Sequence, residues 1–276
     1  MHTLYIVPTP IGNLEDMTLR ALRILREVSL IAAEDTRTTR ILLQHYDIST
    51  PLTSYHEHNK LSKLDAIFAT LETGDVALVS DAGTPGISDP GYELIQAAIQ
   101  RGVTIVPLPG ANAAITALVA SGLPTETFIF LGFLPKKDRA RRDLLERLAH
   151  VERTLIVYES PNRLTDTLEA VIAVFGADRP VCVAREVTKL YEEFRRGSAG
   201  DVLAHYTAKP PKGEIVLLIG GAPPQVIETW DEADVMVALR ERLDSGEALK
   251  DAAKAVAALS GWDRRTVYDV GVVLKN

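Results

Sequence analysis

The strongest constraint on the fold is an alternation. Short apolar runs at residues 4–7, 30–33, 76–79 and 103–106 are separated by segments with helical spacing over 18–26, 37–46, 61–71 and 92–100. Apolar runs of four are long enough for buried strands and too short for buried helices, and a strand–helix rhythm implies a mostly parallel sheet with helices on both faces. The first helix shows the pattern in detail: Thr18 is placed to cap it, and Leu19, Leu22 and Leu25 are expected on its buried face.

The rhythm changes after an Ala-rich helix over 111–120 that Ser121-Gly122-Leu123-Pro124 stops. Strands are expected at 128–131, 154–158, 181–184 and 213–220, with a further wet-faced strand at 192–197 and helices over the basic segment near 136–142 and over 164–175. Uneven spacing and polar edges point to a mixed sheet. Gly220-Gly221-Ala222-Pro223-Pro224 reads as a linker. Beyond it only helical patterns occur, three short ones that fit a helix-turn-helix-like module. The expected division is 1–123, 124–222 and 223–276.

With 276 residues, 46% of them hydrophobic, the chain has enough apolar material for sizeable cores without covalent staples. The single cysteine, Cys182, sits in an apolar strand pattern and reads as a buried thiol. The first residues lack the basic flank and long apolar core of a signal peptide, and no apolar run reaches membrane-spanning length, so a cytoplasmic protein without membrane contact is expected. A net charge of −7 argues against a non-specific nucleic-acid coat, yet the basic stretch Lys136-Lys137-Asp138-Arg139-Ala140-Arg141-Arg142 offers a local patch for phosphates. Alone, that stretch reads better as a solvated helix start.

Ligands of α/β sheets bind beyond the carboxyl ends of strands. Three loops rich in small and rigid residues lie there, at 9–13, 80–91 and 107–112, and their equivalent positions imply one pocket. None reads Gly-x-Gly-x-x-Gly and no P-loop occurs, so a cofactor without a phosphate clamp is indicated. Polar clusters stand at other strand exits: Glu34-Asp35-Thr36-Arg37, His56-Glu57-His58-Asn59, Glu159-Ser160-Pro161-Asn162-Arg163 and Arg185-Glu186-Val187-Thr188-Lys189. His56 and His58 lack the partners of a metal site, and no metal is expected. A His could serve as a base, while Arg37, Arg163, Arg185 and Lys189 could hold an anionic backbone or form ordinary salt bridges.

These motifs together resemble the bacterial ribosomal RNA small subunit methyltransferase I family, a branch of the tetrapyrrole methylase superfamily. The resemblance rests on Leu4 to Leu14, Ala32-Ala33-Glu34-Asp35-Thr36-Arg37, Leu78 to Pro85, Asp89-Pro90-Gly91-Tyr92, Val106 to Gly110 and Ala113 to Leu118. In the second part Gly132-Phe133-Leu134-Pro135, Tyr158-Glu159-Ser160, Ala184 to Lys189 and Lys212-Gly213-Glu214 follow in family order. The resemblance implies two α/β domains of the tetrapyrrole methylase type with a small C-terminal helical module, a homodimer, and S-adenosyl-L-methionine in the cleft between the two α/β parts. It places the cofactor against Ile11, Gly83, Thr84, Pro85, Ile87, Asn112 and Ala113 from the first part, and Ala184 and Glu214 from the second. Thr84 stands where many tetrapyrrole-acting relatives carry Asp.

The implied reaction is 2′-O-methylation of a cytidine ribose near the decoding centre of small-subunit ribosomal RNA. His56, Glu57 and Asp35 are the candidate bases, and Arg37, Lys136, Lys137, Arg141, Arg163, Arg185 and Lys189 the candidate RNA contacts. Methylation of a tetrapyrrole or other small molecule in the same pocket, and a ribosome-binding factor without activity, are the rival readings.

Overall fold

A computed structural model of the chain describes residues 2–56, 60–223 and 230–275. They divide at Ala222 into two compact units.

The larger unit holds two five-stranded sheets. The first contains β1 (Thr3–Ile6), β2 (Leu30–Ala33), β3 (Leu52–Ser54), β4 (Val76–Val79) and β5 (Thr104–Pro107), in the order β3-β2-β4-β1-β5. Every neighbouring pair is parallel, as the alternating pattern requires. Helices α1 (Leu19–Glu27) and α2 (Thr36–His45) cover one face, and α3 (Lys60–Leu71) and α4 (Tyr92–Gln100) the other. The sheet is therefore buried on both sides, and all four residues of β4 are inaccessible.

The Thr18 hydroxyl oxygen accepts the Ala21 N–H at 3.1 Å and starts α1 as expected. The buried face differs from the one expected: Ala21, Ile24 and Leu25 pack inward, whereas Leu19 is 86% exposed. An i, i+3, i+4 set that includes a small residue brings the helix close to the sheet, and Leu19, in the first turn, falls outside that stripe.

The second sheet contains β6 (Phe128–Phe133), β7 (Thr154–Glu159), β8 (Pro180–Arg185), β9 (Glu193–Ser198) and β10 (Ile215–Ile219), in the order β6-β7-β10-β8-β9. Only β6 and β7 run parallel, so the sheet is mixed. Its outer face is covered by α6 (Asp138–Arg147), α7 (Leu164–Phe175) and α8 (Ala199–Ala208). Its inner face packs on α5 (Ala113–Ser121), whose Ala114, Ala117 and Leu118 meet Ile156, Cys182, Ala184, Val216 and Leu218. Each fully buried aliphatic side chain in such a core contributes roughly 1.5–3 kcal/mol. Cys182 is buried as expected, and burial pushes its thiol up to about 11.

Sequence periodicity overlooked two elements. β3 is three residues long and pairs only with β2, too short to show alternation. α8 begins with glycine two residues after its cap, which masks its helical pattern. Its signal is Ser198-Ala199-Gly200-Asp201, in which the Ser198 oxygen accepts the Asp201 N–H at 3.1 Å.

The smaller unit contains α9 (Glu232–Asp244), α10 (Leu249–Ser260) and α11 (Arg264–Lys275) around Val235, Leu239, Ala252, Ala253, Val256 and Val267. Trp262 Nε1 donates to the Trp230 carbonyl at 2.7 Å, tying the start of the unit to the α10–α11 turn. Among the described residues no helix is long and apolar enough to cross a membrane.

Candidate active site

Backbone and side-chain hydrogen bonds staple together the three loops at the carboxyl edge of the first sheet. Thr9 and Gly83 exchange N–H···O bonds of 2.9 and 3.0 Å, joining the loops after β1 and β4. The Thr84 hydroxyl donates to the Ala111 carbonyl at 3.2 Å, joining the loops after β4 and β5. Gly83 adopts φ +78°, a left-handed conformation that side-chain-bearing residues rarely take, and this lets the loop turn beside Ile11. Asn112 then caps α5, its Oδ1 accepting the Ile115 N–H at 3.1 Å.

The stapled loops form one wall of a cleft of about 370 Å³, and the second sheet forms the other. Ile11, Gly83, Thr84, Ile87, Asn112, Ala113, Ala184 and Glu214, all expected at the cofactor, line it. Pro85 is buried in the same turn and does not. Phe133, Tyr158, Val187 and Val216 add apolar surface that single-sequence reasoning did not assign to the site.

The charged side chains that line the cleft are all carboxylates, and Glu159 and Glu214 are each paired with a cation beside it, Arg163 at 3.5 Å and Lys189. Asp89, Glu159 and Glu214 line the cleft, and among the described residues no Lys or Arg does. Glu214 is exposed and paired at 2.8 Å with Lys189, which stands outside the cleft. Glu159 is buried: one oxygen accepts the Ser160 N–H at 2.8 Å and the other the Thr167 hydroxyl at 2.7 Å. Replacing Thr167 by Val leaves this carboxylate one donor short, an expected loss of about 1–3 kcal/mol of stability. The shift of the urea midpoint measures it, and an unchanged midpoint would remove Glu159 from the structural framework.

Asp89 is the titratable group that sequence reasoning missed. It follows Ser88, a non-glycine residue at φ +63°, so backbone strain of about 1–3 kcal/mol is held beside it. Burial raises the Asp89 pKa to about 6, the charges of Glu34 and Asp81 add to the rise, and a hydrogen bond from the Ser80 hydroxyl opposes it. Its motif, Asp89-Pro90-Gly91-Tyr92, was visible in the sequence; its burial and the nearness of Glu34, from the loop after β2, were not.

The two candidate bases among the described residues, Asp35 and His56, lie elsewhere. Asp35 caps α2 and pairs with Arg37 at 2.6 Å, and hydrogen bonds from Arg37 hold its carboxyl down at about 2, where it accepts a proton poorly. Neither Asp35 nor His56 lines the cleft. Glu57 and His58 lie outside the described residues. Among the described residues no group of three His, Cys, Asp or Glu side chains is arranged to hold a metal ion.

The basic residues divide by environment. Lys136 and Lys137 are exposed at the start of α6. Arg37 is exposed but paired with Asp35. Arg141 is buried and pairs with Asp138 at 2.8 Å. Arg163 donates to the Leu134 and Pro135 carbonyls, so both arginines brace the fold. Arg185 pairs with Glu193 at 2.9 Å, and Lys189 bridges Glu186 at 3.1 Å and Glu214.

A parallel sheet and a mixed sheet thus enclose an acidic, loop-walled cleft. The chain matches the family model of the tetrapyrrole (corrin/porphyrin) methylases over residues 3–203. It is 46% identical to a ribosomal RNA small subunit methyltransferase I from Synechocystis, over 100% of this chain and 99% of that protein. It is 44% identical to a protein of the same name from Bacillus subtilis, covering 98% and 94% of the two chains. In fold it is similar to a cobalt precorrin-4 methyltransferase of cobalamin biosynthesis, with a TM-score of 0.60 and 18% identity over 79% of this chain and 94% of that one. It is also similar to the uroporphyrin-III C-methyltransferase of Thermus thermophilus complexed with S-adenyl homocysteine, with a TM-score of 0.56 and 18% identity over 78% and 96%. The chain belongs to the tetrapyrrole methylase family and, within it, to the ribosomal RNA small subunit methyltransferase I family.

Proposed function

We propose that the chain transfers the methyl group of S-adenosyl-L-methionine to the ribose 2′-hydroxyl of a cytidine near the decoding centre of small-subunit ribosomal RNA. The observation that carries this reading is the cleft, acidic and free of lysine and arginine among the described residues, with the first turn of α5 at its edge. Such a cavity favours a cationic sulfonium donor and disfavours polyphosphates. Apolar side chains such as Ile11, Ile87 and Val216 suit an adenine ring, and the helix N-terminus suits a carboxylate. The names carried by relatives 43–47% identical to the chain supply the RNA class.

When bound, the donor supplies an electrophilic methyl carbon on sulfur. The chain's own part is alignment and proton removal. Walls fixed by the Thr9–Gly83 and Thr84–Ala111 contacts hold the reacting atoms without reordering, and alignment of this kind supplies a large share of such rate enhancements. Asp89 accepts the 2′-hydroxyl proton on a carboxylate oxygen as the oxygen–methyl bond forms and the carbon–sulfur bond breaks. The donor would keep the sulfur electron pair, and Asp89 would return its proton to solvent.

The chain is further read as a homodimer. Ile115 and Val119, one turn apart on α5, are 45% and 72% exposed, an apolar pair that a second copy would cover. Light scattering should give twice the chain mass, and a single-chain mass at micromolar concentration would remove this part.

The test of the whole reading is incubation with labelled donor and undermethylated small subunits, followed by mapping of the modified nucleotide and atom. A 2′-O-methyl on one cytidine is expected. Label on a uroporphyrinoid, or on a base atom, would overturn it.

A further inference from the structure

Side chains alternate across a strand, so the exits of β8 and β10 present one residue to each face of the second sheet. Ala184 and Val216 face α5 and the cleft, whereas Arg185 and Ile215 face α8. On the α8 side lies a second cavity of about 220 Å³, lined by Arg185, Glu193, His205, Tyr206, Lys209 and Lys212, with Pro210 and Pro211 completing its rim.

We propose that this cavity binds a phosphate group of the RNA, a neighbour of the nucleotide whose ribose enters the cleft. The inference rests on the RNA reading given above. Charge is the first argument. Three fixed cations surround a single carboxylate, Glu193, in a chain whose net charge is −7. Glu193 is already engaged with Arg185 Nε at 2.9 Å, and no described carboxylate pairs with Lys209 or Lys212. Two lysines lining one cavity without a described counter-ion repel, and an anion between them relieves that repulsion.

The second argument is the arrangement of donors. Arg185 is fixed from both sides, by Glu193 and by the Lys212 carbonyl at 3.3 Å, so its guanidinium is preorganised. Tyr206 is 2% exposed, and its hydroxyl has no hydrogen-bond partner among the described residues. Burial pushes that phenol up to about 12, so it remains a neutral donor at working pH. An unsatisfied buried hydroxyl beside a cluster of cations is a group for which an anion would supply the missing acceptor.

Continuity is the third. Lys212 stands in the second cavity while the next two residues, Gly213 and Glu214, line the cleft. Arg185 likewise follows Ala184 directly. The two cavities thus meet at one sheet edge, and a single strand of RNA crossing that edge can place a sugar on one side and a backbone phosphate on the other. The contact positions the RNA without reading its sequence.

The test pairs two measurements on the full chain and on the Lys209→Gln/Lys212→Gln variant, both changes at exposed positions. The first is RNA affinity as a function of salt. The variant is expected to bind a decoding-region RNA about tenfold more weakly near 0.1 M salt, with the slope of log K against log salt shallower by about one to two. Donor affinity, measured alongside, is expected to stay unchanged. The second is titration with inorganic phosphate, in which the variant is expected to lose the binding the wild type shows. Equal RNA affinity and salt slope in the two proteins overturns the proposal, and so does phosphate capture that leaves RNA binding unmoved, since the cavity then serves free anions. A wild-type chain that binds donor but no RNA under any salt overturns the RNA reading itself.

Discussion

Replacing Asp89 with Asn is expected to lower methyl transfer by about a hundredfold to ten-thousandfold, the usual contribution of a positioned base, with donor affinity nearly unchanged. The amide keeps the shape of the side chain and removes only its ability to take the proton. The wild-type pH profile should agree. Asp89 acts as a base only when ionised, so kcat/KM rises with pH up to about 6 and is flat above. The sign for stability is opposite. The folded state binds the Asp89 proton more tightly than the unfolded chain, from the ordinary 3.8 up to about 6, so the charge weakens the fold increasingly through that window and fully above it. The Asn variant should therefore be slower and more stable at neutral pH, with the stability gain fading as pH falls toward 4. Undiminished turnover, or a variant less stable than wild type at pH 7, would remove Asp89 from the chemistry.

The second large effect is steric. Ala184 is wholly buried, faces α5, and lines the floor of the cleft. Phe at this position has only the cleft to grow into. Overfilling at this scale costs about 3 kcal/mol, so donor affinity should fall on the order of a hundredfold. Calorimetric titration with S-adenosylhomocysteine measures the loss, and a thermal scan separates it from unfolding. A folded variant that binds as tightly as wild type would place the donor elsewhere.

These two residues also mark how far the sequence could be read. Ala184 and its strand were visible because apolar runs carry their own burial information, and the same holds for the all-parallel first sheet. The gathering of loops followed from where small residues recur. Asp89 was not visible as a base, because its raised pKa arises first from burial and then from the charge of Glu34, contributed by the loop after β2, with Asp81 of its own loop adding to it. Asp35 looked equally acidic on paper, and only the position of Arg37 on the first turn of α2 distinguishes it. Arg141 sits in a run of basic residues whose helical phase decides the outcome: it turns inward while Lys136 and Lys137 stay in water. Leu19 shows the same limit, since a plausible apolar stripe does not say which of two adjacent stripes meets the sheet.

Gly12 is a position whose importance exceeds its size. It adopts φ +152°, and a Cβ there would lie 2.3 Å from the Lys189 side chain. That lysine reaches across from the second sheet's loop, resting on the first sheet's loop while gripping Glu186 and Glu214. The glycine is thus the socket for a bolt between the two halves. A methyl group added at a site that lines neither the cleft nor the second cavity would unseat the bolt, release the carboxylate at the mouth of the cleft, and let the jaws drift from register.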